Sequence, residues 1–143
     1  MMANGSTVQV RPFHAGDEQQ LVDLWLACGL VRPVNDPYRD IALKLAQSPD
    51  LLLVAERGHD LVGSVMVGYE GHRGWINYLA VRPDMQRGGL GRALMQHAES
   101  RLRGLGCPKI NLQVRESNTG VIAFYEKAGF TRDAVVSMGK RLS

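Results

Sequence analysis

Apolar positions along the chain switch between a period of two and a period near 3.6, and the switches mark its elements. Val8 to Phe13 alternates into Pro12 and predicts a first strand. It belongs at a sheet edge, because proline cannot donate to a ladder. From Asp17 to Cys28 the spacing turns helical, with Leu21, Leu24, Trp25 and Cys28 on one stripe and Gly29 as the stop. A loop with two prolines follows and closes on Asp36-Pro37, an N-cap and first helical position. The next helix is predicted over 38–47, with Ile41, Leu45 and Tyr38 facing inward, and Ser48-Pro49-Asp50 ends it. Leu51–Arg57, Leu61–Tyr69 and Trp75–Val81 then read as a three-strand antiparallel meander, joined by turns at 58–60 and 71–74. A long helix to Leu105, a strand over Lys109–Val114, a short helix over Val121–Ala128 and a last strand over Thr131–Arg141 complete the chain. The order β-α-α-β-β-β-α-β-α-β predicts an α+β fold: a mixed, mostly antiparallel central sheet flanked by about four helices.

One stretch organises the rest. After the strand at 75–81, Pro83-Asp84 breaks the chain, and Gln86-Arg87-Gly88-Gly89-Leu90-Gly91 opens a helix with Leu90, Leu94, Ala98, Leu102 and Leu105 on one face. Strand, glycine turn and helix start aim several backbone N–H groups and the positive end of a helix at one point, a site for phosphate or pyrophosphate. It is not a Walker A loop, which needs Lys-Ser/Thr where Arg92-Ala93 stands, nor a dinucleotide fingerprint, whose third glycine is missing.

Composition changes this picture little. At 143 residues, 45% hydrophobic and 22% charged, the chain suits one soluble domain spanning 1–143. The net charge of +3 comes from scattered residues, which excludes a basic stripe for nucleic acid. Cys28 and Cys107 lack metal or redox spacing and read as small buried residues; no metal is expected. No apolar run reaches the roughly 18 residues of a membrane span. Residues 1–6 lack the marks of a signal peptide and read as a loose terminus or expression remnant, so a cytoplasmic location is expected.

Gln86, Gly89 and Gly91 fill the pattern Q/R-x-x-G-x-G/A, which resembles the coenzyme A signature of the GNAT N-acetyltransferase superfamily. A second stretch, Asn118 to Phe130, resembles that family's N-x-x-A-x-x-F-Y-x-x-x-G-F, with Val121 in place of the usual alanine. The element order is also similar, so the resemblance covers essentially the whole chain; several shorter segments look like bacterial YpeA-like acetyltransferases. The resemblance implies a V-shaped splay between the strands near 75–81 and 109–114, holding the pantetheine arm of acetyl-CoA against Leu79, Ala80 and Val81. It implies pyrophosphate on the N–H groups of Arg87, Gly88, Gly89, Leu90, Gly91 and Arg92, with Gln86 in the same turn. It further implies Asn118 beside the cofactor and Tyr125 both against it and as the acid that protonates the leaving thiolate.

A lysine-type amine titrates near pH ~10.4, so its neutral form at pH 7 costs roughly 4.6 kcal/mol, and something must take the proton. Many GNAT enzymes carry a glutamate on the central strand; Trp75-Ile76-Asn77-Tyr78 offers none. Glu70 is the leading candidate, with His72 beside it and Glu116 behind; ordered water alone would also serve. The expected activity is acetyl transfer from acetyl-CoA to a primary amine of a small molecule or protein by direct attack in a ternary complex. A non-catalytic acetyl-CoA sensor is the alternative. Neither nucleic acid nor membrane is expected as a partner, and a homodimer stays open.

Overall fold

A computed structural model of the chain describes residues 7–143; the expectation for residues 1–6 lies outside the described residues. The chain forms two compact units, one ending at Leu112 and the other running from Gln113 to Ser143. The first holds β1 (Val8–Pro12), α1 (Glu18–Ala27), α2 (Pro37–Gln47), β2 (Leu52–Arg57), β3 (Asp60–Tyr69), β4 (Gly74–Val81), α3 (Leu90–Gly104) and β5 (Ile110–Asn111). The second holds α4 (Thr119–Lys127).

The five strands form one mixed sheet in sequence order. The first three junctions are antiparallel, and β4 pairs with β5 in parallel. Residues opposite each other in an antiparallel ladder share a face. Val54, Ser64 and Ala80 therefore lie on one face, and Ala55 and Gly63 on the other. The first face carries the main core, where Leu21 and Trp25 of α1 and Ile41 of α2 pack with Leu52, Val54, Leu61 and Ala80. Burying each such side chain is worth about 1.5–3 kcal/mol.

On the opposite face α3 buries Leu94, Met95, Ala98 and Leu102. Its close approach depends on Gly63, where an added Cβ would stand 2.9 Å from Leu94 Cδ1 and 3.1 Å from the Ala80 carbonyl. Asp36 caps α2, its Oδ1 accepting from the Tyr38 N–H at 2.9 Å, with Pro37 first in the helix. The buried stripe of α2 differs from expectation. Ile41 is fully buried, but Lys44 joins it while Tyr38 is exposed. The Lys44 ammonium donates to the Val67 carbonyl, and burial pulls its pKa down.

Two strand expectations are corrected. The strand expected over 109–114 shrinks to Ile110–Asn111, and none forms over 131–141. That last segment sets Val135 beside Val136 and leaves Val135, Val136 and Met138 exposed. It lacks strict alternation and buries no apolar face that could offset the entropy of ordering. The short β5 matters for the fourth strand. Its ladder with β4 has two pairs, Gly74↔Ile110 and Trp75↔Asn111, and then opens. From Ile76 onward β4 has no strand partner on that side among the described residues. This is the opening expected between these strands.

Candidate active site

The last residues of β4, with the turn that follows, hold the first half of the expected site in one place. Beside that end β4 carries a bulge. Met66 pairs with Asn77 and Ser64 with Ala80, so Tyr78 and Leu79 together oppose Val65. Tyr78 adopts a left-handed backbone, φ 51. Such a conformation costs a bulky residue of order 1–3 kcal/mol unless its surroundings hold it there. Three contacts do so. Trp25 stacks on the Tyr78 ring at 3.7 Å between centroids. Ser64 Oγ, which accepts from Trp25 Nε1 at 2.9 Å, donates to the Tyr78 carbonyl at 2.8 Å. The Tyr78 hydroxyl donates to Asp40 Oδ2 of α2 at 2.5 Å. Burial and then the Asp40 bond raise the Tyr78 phenol above its ordinary range.

Beyond Val81 the chain turns sharply. Gln86 Nε2 donates to the Val81 carbonyl at 3.1 Å, closing the turn onto the strand end. Arg87 (φ 69) and Gly89 (φ 88) both take left-handed conformations. At Gly89 this is what glycine permits, and nothing stands within 4 Å of where a Cβ would be. Gly89 is the N-cap of α3, and no side chain caps the helix. The first intrahelical bond runs from the Ala93 N–H to the Gly89 carbonyl at 3.0 Å. The N–H groups of Gly89, Leu90, Gly91 and Arg92 thus precede the first intrahelical bond, and no side chain caps them. Arg87 and Arg92 are exposed and make no ion pair among the described residues. An uncapped helix start beside two unpaired guanidiniums fits an anion. At the closed end of the opening, in the last β4–β5 pair, Asn111 Oδ1 is buried without a hydrogen-bond partner among the described residues.

The remaining candidates lie elsewhere. Glu70 sits in the β3–β4 turn, at the opposite end of β4. Its Oε1 accepts from the backbone N–H groups of Arg73 at 2.5 Å and His72 at 2.7 Å, and those bonds lower its pKa. Asn118 and Tyr125 belong to the second unit. Asn118 is the N-cap of α4, its Oδ1 accepting from the Val121 N–H at 3.4 Å. Tyr125 is buried, with Phe124 and Phe130 edge-on to its ring at 5.2 and 5.5 Å between centroids. Burial pushes its pKa up to about 12. The sequence offers no carboxylate on β4 and does not point to Asp40, which tertiary contact brings to Tyr78 from 38 residues away. No local pattern signals that pairing.

An open sheet whose fourth strand ends in an anion-ready turn is an arrangement suited to an acyltransferase, and the comparisons agree. The acetyltransferase (GNAT) family model matches residues 18–130, and the chain belongs to that family. It is 47% identical over 136 residues to acetyltransferase SG1711 of Sodalis glossinidius, covering 94% of this chain and 96% of that one. Acetyltransferase ECA0875 of Pectobacterium atrosepticum is also 47% identical, over 135 residues, with 94% and 96% covered. Among solved structures, the Escherichia coli ribosomal-protein-S18-alanine N-acetyltransferase shares the fold at TM-score 0.76 and 22% identity, covering 90% of this chain and 80% of that one. An aminoglycoside antibiotic 6'-N-acetyltransferase from Acinetobacter haemolyticus shares it at TM-score 0.75 and 17% identity, covering 94% and 99%. The protein is an N-acetyltransferase by family, on a fold that the names of its neighbours attach to very different acceptors. No helix among the described residues is long and apolar enough to cross a membrane.

Proposed function

We propose that this enzyme moves an acetyl group from acetyl-CoA to a primary amine of a small molecule or protein, by direct attack in a ternary complex. The observation that carries this reading is the uncapped start of α3, with Arg87 and Arg92 unpaired beside it, in a turn that matches the family's cofactor signature. The N–H groups from Arg87 to Arg92 would hold pyrophosphate, with Gln86 bracing the turn and Gly88, Gly89 and Gly91 leaving room for close approach. The open edge of β4 at Leu79, Ala80 and Val81 would bond the amides of the pantetheine arm, as an added strand would. Asn111 Oδ1 could accept from one of them. Asn118 is assigned to the cofactor by its place in the second motif.

Acetyl-CoA supplies the acetyl group as a reactive thioester. The amine loses one proton, its nitrogen bonds to the acetyl carbon, and the carbon–sulfur bond breaks. The thiolate then takes a proton from Tyr125, which solvent restores. Tyr125 can supply that proton because a phenol is protonated across the neutral range, and burial holds the proton more tightly still. A backbone N–H near Ala80 is suited to polarising the carbonyl. Glu70 is the proposed proton acceptor. It lies at the far end of β4 and its bonds to the turn keep it ionised, so the amine's proton would reach it through water and pass on to solvent.

Calorimetric titration with acetyl-CoA, then thiol release against a panel of primary amines, tests the reading. Binding with amine-dependent release is the expected result. Binding without release from any amine would favour the sensor, and no binding would remove the turn from the site.

A further inference from the structure

Asp40 is a half-buried carboxylate in the first turn of α2. Its side chain has one hydrogen-bond partner among the described residues, the Tyr78 hydroxyl at 2.5 Å. It has no cationic partner there within ion-pair distance. The contrast with Asp17, a fully sheltered carboxylate of the same unit, is plain. Asp17 is clamped by both terminal nitrogens of Arg11, at 2.8 and 2.9 Å. Asp36, one turn before Asp40, is spent on capping the helix. The start of α2 favours the charge of this carboxylate, but its one side-chain bond is to a neutral phenol and it has no ion-pair partner among the described residues.

Its position gives that gap a meaning. If pyrophosphate takes the turn beyond Val81, as proposed above, an arm laid back along the open edge of β4 would bring its reactive end toward the Tyr78–Leu79 bulge. Tyr78 is the residue that stands in the left-handed conformation there, and its ring reaches across to α2. Resting on the acetyl-transfer reading above, we propose that Asp40 binds the acceptor amine as its ammonium ion, with Tyr78 as the positioning residue that aims the carboxylate. The acceptor is then a cation at neutral pH, an alkylamine or a protein amine. Asp40 holds the ammonium before it gives up its proton, so loss of the carboxylate is read first in acceptor affinity.

The experiment compares wild type, Asp40→Asn and Tyr78→Phe with spermidine, lysine ethyl ester and a peptide with a free α-amino group. Thiol release gives kcat and KM for the amine, and calorimetry gives the acetyl-CoA Kd. Asp40→Asn should raise the amine KM at least tenfold, with kcat within about threefold and the acetyl-CoA Kd unchanged. Tyr78→Phe keeps the stacking ring and should raise KM by a smaller factor with the same selectivity. It decides the matter if the asparagine variant does not fold. An unchanged KM, or a fall in kcat or in acetyl-CoA affinity with no selective rise in KM, overturns the assignment while leaving acetyl transfer standing. Wild-type enzyme that binds acetyl-CoA but acetylates none of these amines overturns both.

Discussion

At Tyr125 burial sets how tightly the phenol holds its proton. The phenol sits among Phe124 and Phe130, and its pKa is pushed up to about 12. An unperturbed phenol titrates near ~10. Raising that value keeps the proton on the residue at every pH where the enzyme would work. Tyr125→Phe should therefore lower kcat by about 100-fold while leaving the acetyl-CoA Kd within about twofold. In the wild type, any alkaline loss of kcat due to this group should lie near 12 rather than ~10. Unaltered turnover in the phenylalanine variant would remove the tyrosine from the reaction. The sequence motif points to Tyr125 as the candidate acid. It could not tell that Glu70 spends its carboxylate on the N–H groups of Arg73 and His72, nor that Asp40 meets Tyr78. A short turn is legible in principle, whereas a contact across 38 residues exists only once α2 packs on the sheet.

The glycine turn was legible as an element because three local signals agree there. A β-capable run ends at Val81, Pro83 breaks it, and glycines precede an amphipathic helix. The bulge at Tyr78–Leu79 left no such trace, since nothing in Asn77-Tyr78-Leu79 asks for a positive φ. Its cause is tertiary, in the Trp25 stack and the Ser64 hydrogen bond. The strand expected over 131–141 failed for the opposite reason, because apolar content was present without alternation or burial. For the turn itself, Gly89→Glu is the decisive change. Its backbone conformation would cost about 1–2 kcal/mol in a residue with a Cβ. The new carboxylate could recover part of that by accepting the orphan N–H groups of α3. The fold should survive with a small loss in Tm. Acetyl-CoA affinity should fall more than 100-fold, because the side chain would occupy and charge the place proposed for pyrophosphate. Calorimetry on the folded variant checks this, and retained affinity would exclude the turn.

Across the first unit, one ionic cluster fastens the chain's start to the sheet. Arg11 of β1 makes a two-pronged pair with Asp17, which precedes α1, and reaches Glu56 of β2 at 3.2 Å. Burial by itself would raise the Asp17 pKa, but the Arg11 bonds, the His14 N–H and the Arg11 charge outweigh it and the net shift is downward. Glu56 also moves downward, chiefly through its bond to Arg11. Unfolded values are about 3.9 for Asp and 4.3 for Glu. Both groups therefore bind protons more readily in the unfolded chain. Their stabilisation is fully present above those values and is lost as pH falls through the lower folded ones. Thermal melts should be flat from about pH 6 to 8 and should decline below about pH 5. Asp17→Asn should remove about 2–3 kcal/mol at pH 7, since it strips a charged partner from a sheltered guanidinium. At roughly 3 °C per kcal/mol for a chain of this size, Tm should fall by about 6–9 °C. The same variant should show a shallower decline in acid, having lost one of the groups that titrate there. A variant as steep in acid as the wild type would mean that other carboxylates, such as Asp84 beside Arg82, govern the acid limb instead.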